Sequence, residues 1–224
     1  MSETSNLLAC VEIETGSKPT HTIIWLHGLG ANAHDFAPIV PELNLGERAV
    51  RFLFPNAPVQ PVTINGGMAM RSWYDILVTD LVRQEDGDGI RASEQAIRAL
   101  IAHENARGIP GSRIVLAGFS QGCAMTLHTG LRLNEKLAGM VALSGYLPLQ
   151  DMVKEQAQPV NAKTPIFMAH GLYDPVVALS RAEISRDFLK AMQYDVRWNT
   201  YAMAHSVCSD EVVNISTFLR EILV

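Results

Sequence analysis

The chain has 224 residues, a net charge of −5, 48% hydrophobic residues and 18% charged residues. This is enough apolar material for a core, which excludes a disordered chain, and no lysine- or arginine-rich run indicates binding to nucleic acid or to an anionic membrane surface. No stretch approaches the roughly 18 apolar residues of a membrane span, so we expect no integral membrane segment.

The length fits a single α/β domain over residues 1–224. The three cysteines, Cys10, Cys123 and Cys208, match no zinc or redox spacing, and they predict small buried side chains in a reducing compartment. Residues 1–6 carry no positive charge, which argues against a secretory signal. We therefore expect a soluble, cytoplasmic protein.

Short apolar runs alternate with amphipathic runs along the chain. The runs typical of strands are 8–13, 22–26, 50–54, 113–117, 140–143, 165–169 and 196–201. The runs typical of helices are 91–107, 121–133, about 177–191 and a last one from Ser209, its expected N-cap. This alternation predicts a mostly parallel sheet of about seven strands with helices on both faces, in which ligands bind at the carboxyl ends of the strands.

The predicted strand 113–117 runs directly into Gly118-Phe119-Ser120-Gln121-Gly122, and a helix follows. G-x-S-x-G between a strand and a helix is typical of the nucleophile turn of an α/β-hydrolase. Its reversal is too tight for side chains at the flanking positions, and it exposes the Ser120 hydroxyl above the sheet. The backbone N–H of Gln121 is left free at a helix start, where it can stabilise an oxyanion.

An acid and a base follow in the chain order that this architecture requires. Asp174 lies on the loop after strand 165–169, and His205 lies just past strand 196–201. Serine is a weak nucleophile, so a neutral imidazole must accept its proton and a buried carboxylate must orient that imidazole. The sequence therefore predicts Ser120, Asp174 and His205 as a catalytic triad.

Other acids and histidines compete for these roles. Four histidines lie away from the carboxyl ends of strands: His21, His34, His103 and His128. His27 and His170 lie at the right edge but in the wrong chain order, and the glycine after each suggests that the imidazole fixes a loop. Asp195 precedes a strand, and Asp75 lies on the long loop after the third strand.

The turn after strand 22–26 contains His27-Gly28-Leu29-Gly30 and can present the backbone N–H of Leu29 as a second oxyanion donor. Residues 28–33 also fit the dinucleotide fingerprint G-x-G-x-x-A. That fingerprint requires an acid at the end of the next strand, which here reads Phe54-Pro55-Asn56. Nucleotide binding is therefore the weaker interpretation.

Residues 57–82 form a long connection without a clear period, which predicts a loop or lid-like insertion beside the site. Methionine and tryptophan without helical spacing suit an adaptable wall for an acyl chain. The residues expected to contact substrate are Met68, Met70 and Trp73 in this loop, with Leu172 and Val176 beside Asp174.

With these motifs in place, the chain resembles the phospholipase/carboxylesterase family, which includes bacterial carboxylesterases and acyl-protein thioesterases. The matching segments are 27–30, 54–58, 72–75, 118–122, 143–145, 170–175 and 205–208. The resemblance implies an α/β-hydrolase fold, the triad of Ser120, Asp174 and His205, and an oxyanion hole of the Leu29 and Gln121 amides. It also implies no metal or organic cofactor, a small-molecule or lipid ester as substrate, and often a homodimer.

The function that we expect is a serine carboxylesterase that forms an acyl-enzyme on Ser120. An acyl-protein thioesterase or a lysophospholipase, which removes longer acyl chains, is the alternative, and this ranking comes largely from the resemblance. A non-enzyme alternative is an inactive binding module that keeps only the fold.

Overall fold

A seven-stranded sheet forms the centre of the molecule in a computed structural model that describes residues 7–77 and 85–224. Its strands are β1 (Cys10–Glu14), β2 (His21–Leu26), β3 (Val50–Pro55), β6 (Ile114–Phe119), β7 (Gly139–Leu143), β8 (Ile166–Gly171) and β9 (Val196–Tyr201). They lie in the order β1-β3-β2-β6-β7-β8-β9. β1 pairs antiparallel with β3, and every other pairing in this sheet is parallel, so the predicted fold class is confirmed.

Four long helices and two single turns surround the sheet in the described residues. They are α1 (Ile39–Glu42), α2 (Gly87–Ala106), α3 (Gln121–Arg132), α4 (Val153–Gln156), α5 (Leu179–Ala191) and α6 (Ser209–Ile222). The predicted N-cap of α6 was wrong by one residue: Cys208 is the N-cap, and its side chain makes no capping bond. No helix in the described part of the chain combines the length and hydropathy that crossing a membrane requires.

Two hydrophobic cores cover the two faces of the sheet. Along β2, Ile24 belongs to the core that includes α2 and α3, whereas Ile23 belongs to the core that includes α1 and α6. On β6, Leu116 and Val115 divide in the same way. Successive side chains of a strand point to opposite faces, so a strand covered on both sides must be apolar throughout. This is why the central strands appear in the sequence as unbroken apolar runs.

The connection after β3 contains a β-hairpin, which the sequence interpretation of residues 57–82 as structureless missed. β4 (Val59–Val62) pairs antiparallel with β5 (Met68–Arg71). Gly66 and Gly67 both have positive φ in the turn, where glycine is favoured. Pro61 hid the strand from the sequence pattern, because proline is tolerated only in edge strands such as those of this two-stranded sheet. The part of the predicted loop from 78 to 82 lies outside the described residues.

The first turn of α6 buries the carboxyl group of Glu211, neither of whose oxygens has a hydrogen-bond partner among the described residues. Burial raises the pKa of this carboxyl to about 8, and the nearby backbone N–H of Cys208 offsets only part of the effect. Between the ordinary pKa of 4.5 and this value, the folded chain holds a proton that the unfolded chain has lost. The contribution of Glu211 to folding therefore becomes less favourable as the pH rises through this window.

We expect Glu211→Gln to remove this pH dependence. The variant should match the wild type near pH 4.5 and exceed its free energy of unfolding near pH 8 by on the order of 1 kcal/mol or more. Urea unfolding across this pH range measures the difference. Asp210→Asn, which alters an exposed carboxylate in the same turn, is the matched control. Parallel stability curves for Glu211→Gln and the wild type would contradict the prediction.

Candidate active site

Ser120 lies at the turn between β6 and α3 with φ of +55° and ψ of −116°, a backbone conformation that is strained for a residue with a side chain. Two glycines make the turn sterically possible. A Cβ on Gly118 would overlap the carbonyl of Gly122, and a Cβ on Gly122 would overlap the carbonyl of Leu26 on the neighbouring strand. The Ser120 N–H donates to Leu143 O at 2.9 Å, which fixes the turn against β7.

The three predicted triad residues lie in one chain of hydrogen bonds. His205 Nε2 is 2.9 Å from Ser120 Oγ, and His205 Nδ1 is 2.6 Å from Asp174 Oδ2. The side chain of Asp174 is fully buried, and that of His205 is 15% exposed. An Nδ1–H that donates to Asp174 leaves the Nε2 lone pair facing the serine hydroxyl, which is the tautomer that a general base needs.

The loop after β8 holds Asp174 in a fixed orientation. Asp174 Oδ1 accepts from the N–H groups of Val176 at 2.8 Å and Val177 at 2.9 Å, so Oδ2 is left to face His205. His170 Nε2 donates to Val177 O at 2.8 Å and lies 3.4 Å from Asp174 Oδ2. His170 therefore holds the two ends of this loop together.

His27 fixes the loop after β2 in a similar way. Its Nδ1–H donates to Gly28 O at 2.7 Å, and its Nε2 accepts from Ala57 N at 3.0 Å. These two bonds require the neutral imidazole with the proton on Nδ1. Burial lowers the pKa of His27, which favours the same neutral form.

Two backbone N–H groups at the site are available to a ligand. Those of Leu29 and Gln121 donate no hydrogen bond to any residue in 7–77 or 85–224. Leu29 follows Gly28, where an added Cβ would lie 3.3 Å from Ser120 Cβ, so this loop lies directly beside the nucleophile turn. Gln121 begins α3, where the unpaired N–H groups of a helix start favour negative charge.

The side chain of Gln121 has a role that the sequence did not predict. Its Oε1 accepts from Trp73 N at 2.8 Å, and its Nε2 donates to Tyr74 O at 2.6 Å and to Ser72 Oγ at 3.0 Å. These bonds tie the segment after β5 to the nucleophile turn. The only sequence signal was indirect, because 72–75 is one of the segments that carry the family resemblance.

The residues predicted to contact substrate separate into two groups. Four lie at the surface. Met68 and Val176 are 64% and 67% exposed, and Leu172 is also exposed. Met70 is half-buried, and a Cβ added to Gly30 would lie 3.7 Å from its Sδ. Trp73 is instead in the core, where its Nε1 donates to His27 O at 2.9 Å. The indole therefore supports the loop after β2 from inside the protein.

Three other competitors for these roles, Asp75, Asp195 and His128, lie elsewhere in the structure. Asp75 accepts from Thr63 N and Thr63 Oγ1 beside the hairpin, and Asp195 precedes β9 at the opposite edge of the sheet. His128 contacts Glu94, with Nε2 3.0 Å from Oε2. His205 is the histidine in contact with Ser120.

The similarity of this chain to known proteins agrees with the geometry of the site. The profile of the phospholipase/carboxylesterase family matches residues 8–223. The chain is 44% identical over 215 residues to acyl-protein thioesterase 1 of Neurospora crassa, covering 92% of this chain and 88% of that protein. It is 39% identical over 217 residues to acyl-protein thioesterase 1 of Yarrowia lipolytica, covering 94% and 96%. The crystal structure of acyl-protein thioesterase 2 of Zea mays superposes with a TM-score of 0.84 at 27% identity, over 96% of this chain and 99% of that one.

We expect His27→Ala to displace the loop that carries Leu29, because Gly28 O loses a donor and Ala57 N–H loses an acceptor. The predicted result is a fall in kcat of roughly 10- to 100-fold with little change in KM, since one misplaced oxyanion donor mainly affects the transition state. Steady-state ester hydrolysis measures both constants. His34→Ala, at an exposed position on the following loop, should leave both unchanged. A change in KM alone would show that the loop serves substrate binding instead.

Proposed function

Because this chain belongs to the phospholipase/carboxylesterase family of α/β-hydrolases and is a serine hydrolase of the esterase or thioesterase kind, we propose that it hydrolyses acyl thioesters on proteins. The observation that carries the mechanism is the chain of contacts from Ser120 Oγ through His205 to Asp174 Oδ2, at 2.9 and 2.6 Å. A nucleophile, a base and an orienting acid in this order are the components of acyl transfer to serine.

In the first half of the proposed reaction, Ser120 Oγ attacks the acyl carbonyl carbon and His205 Nε2 accepts the hydroxyl proton. Asp174 does not exchange a proton: it keeps Nδ1–H in place and stabilises the imidazolium. The carbonyl oxygen becomes an oxyanion, which the N–H groups of Leu29 and Gln121 stabilise. When the tetrahedral intermediate collapses, the thiol leaves with the proton from His205, and the acyl group stays on Ser120.

In the second half, water takes the place of the thiol. His205 Nε2 accepts a proton from the water as its oxygen attacks the acyl-serine carbonyl. The same two N–H groups stabilise the second oxyanion. Collapse returns the proton to Ser120 Oγ and releases the carboxylic acid, so the site is regenerated without a further reactant.

Two observations favour a long acyl group on a thioester over a small general ester. The two fungal relatives at 44% and 39% identity are named acyl-protein thioesterase 1. Large apolar side chains are also exposed on two segments near the site. Met68 lies on the hairpin, whose Arg71 O accepts from Gly30 N at 2.8 Å, and Leu172 and Val176 lie on the Asp174 loop. Exposed apolar residues that cluster near a site indicate an apolar ligand or surface. The sequence alone ranked a general carboxylesterase first. We now rank this activity second, and it remains a candidate because it would use the same mechanism.

The cytoplasmic location and the homodimer stay predictions, as do the single domain over 1–224 and the absence of a cofactor. The proposed mechanism does not depend on a second subunit, because every group it uses comes from one chain. Its chemistry is proton transfer and acyl transfer only, for which the side chains above and water are sufficient.

We expect Ser120→Ala to lower kcat by several orders of magnitude, on the order of 10⁶-fold in the best-studied serine hydrolase. The measurement is hydrolysis of a p-nitrophenyl ester, paired with labelling by a fluorophosphonate probe, which reacts only with an activated serine. The variant should not label. Ser180→Ala, at an exposed position in α5, is the matched control and should behave as the wild type. If Ser120→Ala keeps more than a tenth of the wild-type activity, Ser120 is not the nucleophile.

We expect kcat/KM to increase with acyl-chain length from C2 to C16 and to be higher for a palmitoyl thioester than for p-nitrophenyl palmitate. Each buried methylene stabilises binding by up to ~0.8 kcal/mol. The double variant Leu172→Ser/Val176→Ser should lower kcat/KM for C16 substrates several-fold and leave C2 hydrolysis unchanged. Val213→Ser, on the exposed side of α6, is the control. A maximum at C2 with little thioester hydrolysis would favour the general carboxylesterase.

A further inference from the structure

A cavity of about 320 Å³ lies among α2, α3 and α4, on the face of the sheet that those helices cover. Its wall contains Arg91, Glu94 and Arg98 from α2, His128 and Arg132 from α3, and the polar side chains Asn134, Gln156 and Gln158. Ser120, Asp174 and His205 are not among its lining residues in the described structure. His128 and Arg132 follow Ser120 by eight and twelve residues along α3, which places them roughly 12 and 18 Å along the helix axis.

The cavity is positively charged in a chain whose net charge is −5. Its wall has three arginines and a single glutamate, Glu94. Burial lowers the pKa of His128, so this imidazole is neutral at pH 7 and does not alter the balance. Asp88 pairs with Arg91 at 2.6 Å, but this carboxylate is almost fully exposed, where an ion pair contributes little.

Arg132 has the least compensated charge in the wall. It is only 5% exposed, yet no carboxylate in the described part of the chain lies within 4.0 Å of its guanidinium. Its hydrogen bonds go to neutral oxygens: Nε to Gln156 Oε1 at 2.7 Å, Nη1 to His128 O at 3.1 Å and Nη2 to Leu149 O at 3.4 Å. A buried cation with neutral partners alone is costly, and an anion in the cavity would offset this cost.

Arg98 does not remove this surplus of positive charge. Its guanidinium contacts Glu94 Oε1 at 2.7–2.8 Å, so these two charges largely compensate each other. It also donates to Arg132 O at the last turn of α3, where the helix dipole places about half a negative charge. The helix end thus offsets only part of the charge of Arg132. The positive charge of Arg91 stays available to a ligand at the cavity mouth.

The rest of the wall is suited to an oxyanion. The side-chain amides of Asn134, Gln156 and Gln158 are hydrogen-bond donors, and Leu149 is the apolar member of the lining. His128 Nε2 contacts Glu94, and its buried Nδ1 has no hydrogen-bond partner among the described residues, so it can accept from a hydroxyl of a ligand. Arginines bind phosphate through paired N–H groups, and the cavity has more space than a phosphate ion needs.

We propose that this cavity is a second ligand site, which binds the phosphate group of a small phosphomonoester between Arg132 and Arg91. The charge of the wall selects a dianion, the buried guanidinium of Arg132 is its anchor, and the remaining volume accommodates a short organic group with a hydroxyl. The site is independent of the acyl-transfer chemistry at Ser120, and so is its test.

Isothermal titration calorimetry of the intact protein with glycerol 3-phosphate, inorganic phosphate and glycerol tests the proposal. We expect saturable 1:1 binding of glycerol 3-phosphate and no binding of glycerol. Tighter binding of glycerol 3-phosphate than of phosphate supports an organic phosphate as the ligand, and equal affinity supports recognition of the phosphate group alone. The absence of saturable binding of both below about 10 mM would overturn the proposal.

Two variants connect the binding to this cavity. Arg132→Gln should raise the Kd for glycerol 3-phosphate at least tenfold. Because Arg132 also supports α3 and its loss can impair folding, Gln158→Glu provides a second test: it adds a carboxylate to the half-buried wall and should abolish binding. The charge-matched controls at exposed positions outside the cavity are Arg113→Gln and Gln193→Glu, which should bind as the wild type does. Unchanged affinity in Gln158→Glu would place the bound phosphate elsewhere and reject the site.

Discussion

The close contact between the start of α3 and the end of β2 is the constraint on which the rest of the site depends. Gly122 packs against the backbone carbonyls of Leu26 and His27, with no space for even one methyl group between them. This approach brings the first turn of α3 down onto the sheet and forces Ser120 into its strained conformation. A strained residue persists only where its surroundings over-determine it, and here the fixed backbones on both sides do so.

Three side chains extend this rigidity into the loops. His27 fixes the loop after β2, His170 fixes the loop after β8, and the Gln121 side chain binds the segment after β5. Loops carry the reactive groups in α/β folds, but buried hydrogen bonds such as these can fix a loop in place. His205, Asp174 and the Leu29 N–H are therefore held relative to Ser120 by backbone contacts as well as by their own side chains.

α3 connects two regions of opposite electrostatic character. Its first residue has a backbone N–H without a partner in 7–77 or 85–224, and this group lies beside Ser120, where negative charge would develop in acyl transfer. Its last turn contains the buried guanidinium of Arg132 and receives a hydrogen bond from Arg98. Cations at a helix C-terminus are stabilising, but three arginines exceed what one helix end requires. This excess distinguishes the cavity among α2, α3 and α4 from an ordinary helix cap.

The sequence by itself determined the features that depend on local pattern. The unbroken apolar runs predicted the parallel strands, and the glycines around Ser120 predicted a tight strand-to-helix turn. The positions of Asp174 and His205 after strands predicted which edge of the sheet they occupy, because the ends of parallel strands meet there. Each of these inferences needs only residues that are close in the chain, together with the chain order of the elements.

Only the tertiary structure decided which side chains meet across long separations. Trp73 looked like part of an apolar wall, yet it is a core residue that donates to His27 O, 46 residues away in the chain. β4 and β5 pair as two short edge strands, which the sequence pattern did not predict because Pro61 lies in β4. The cavity around Arg132 brings together arginines from two different helices, α2 and α3. Such contacts depend on how helices and loops pack, and no local period in a sequence records that packing.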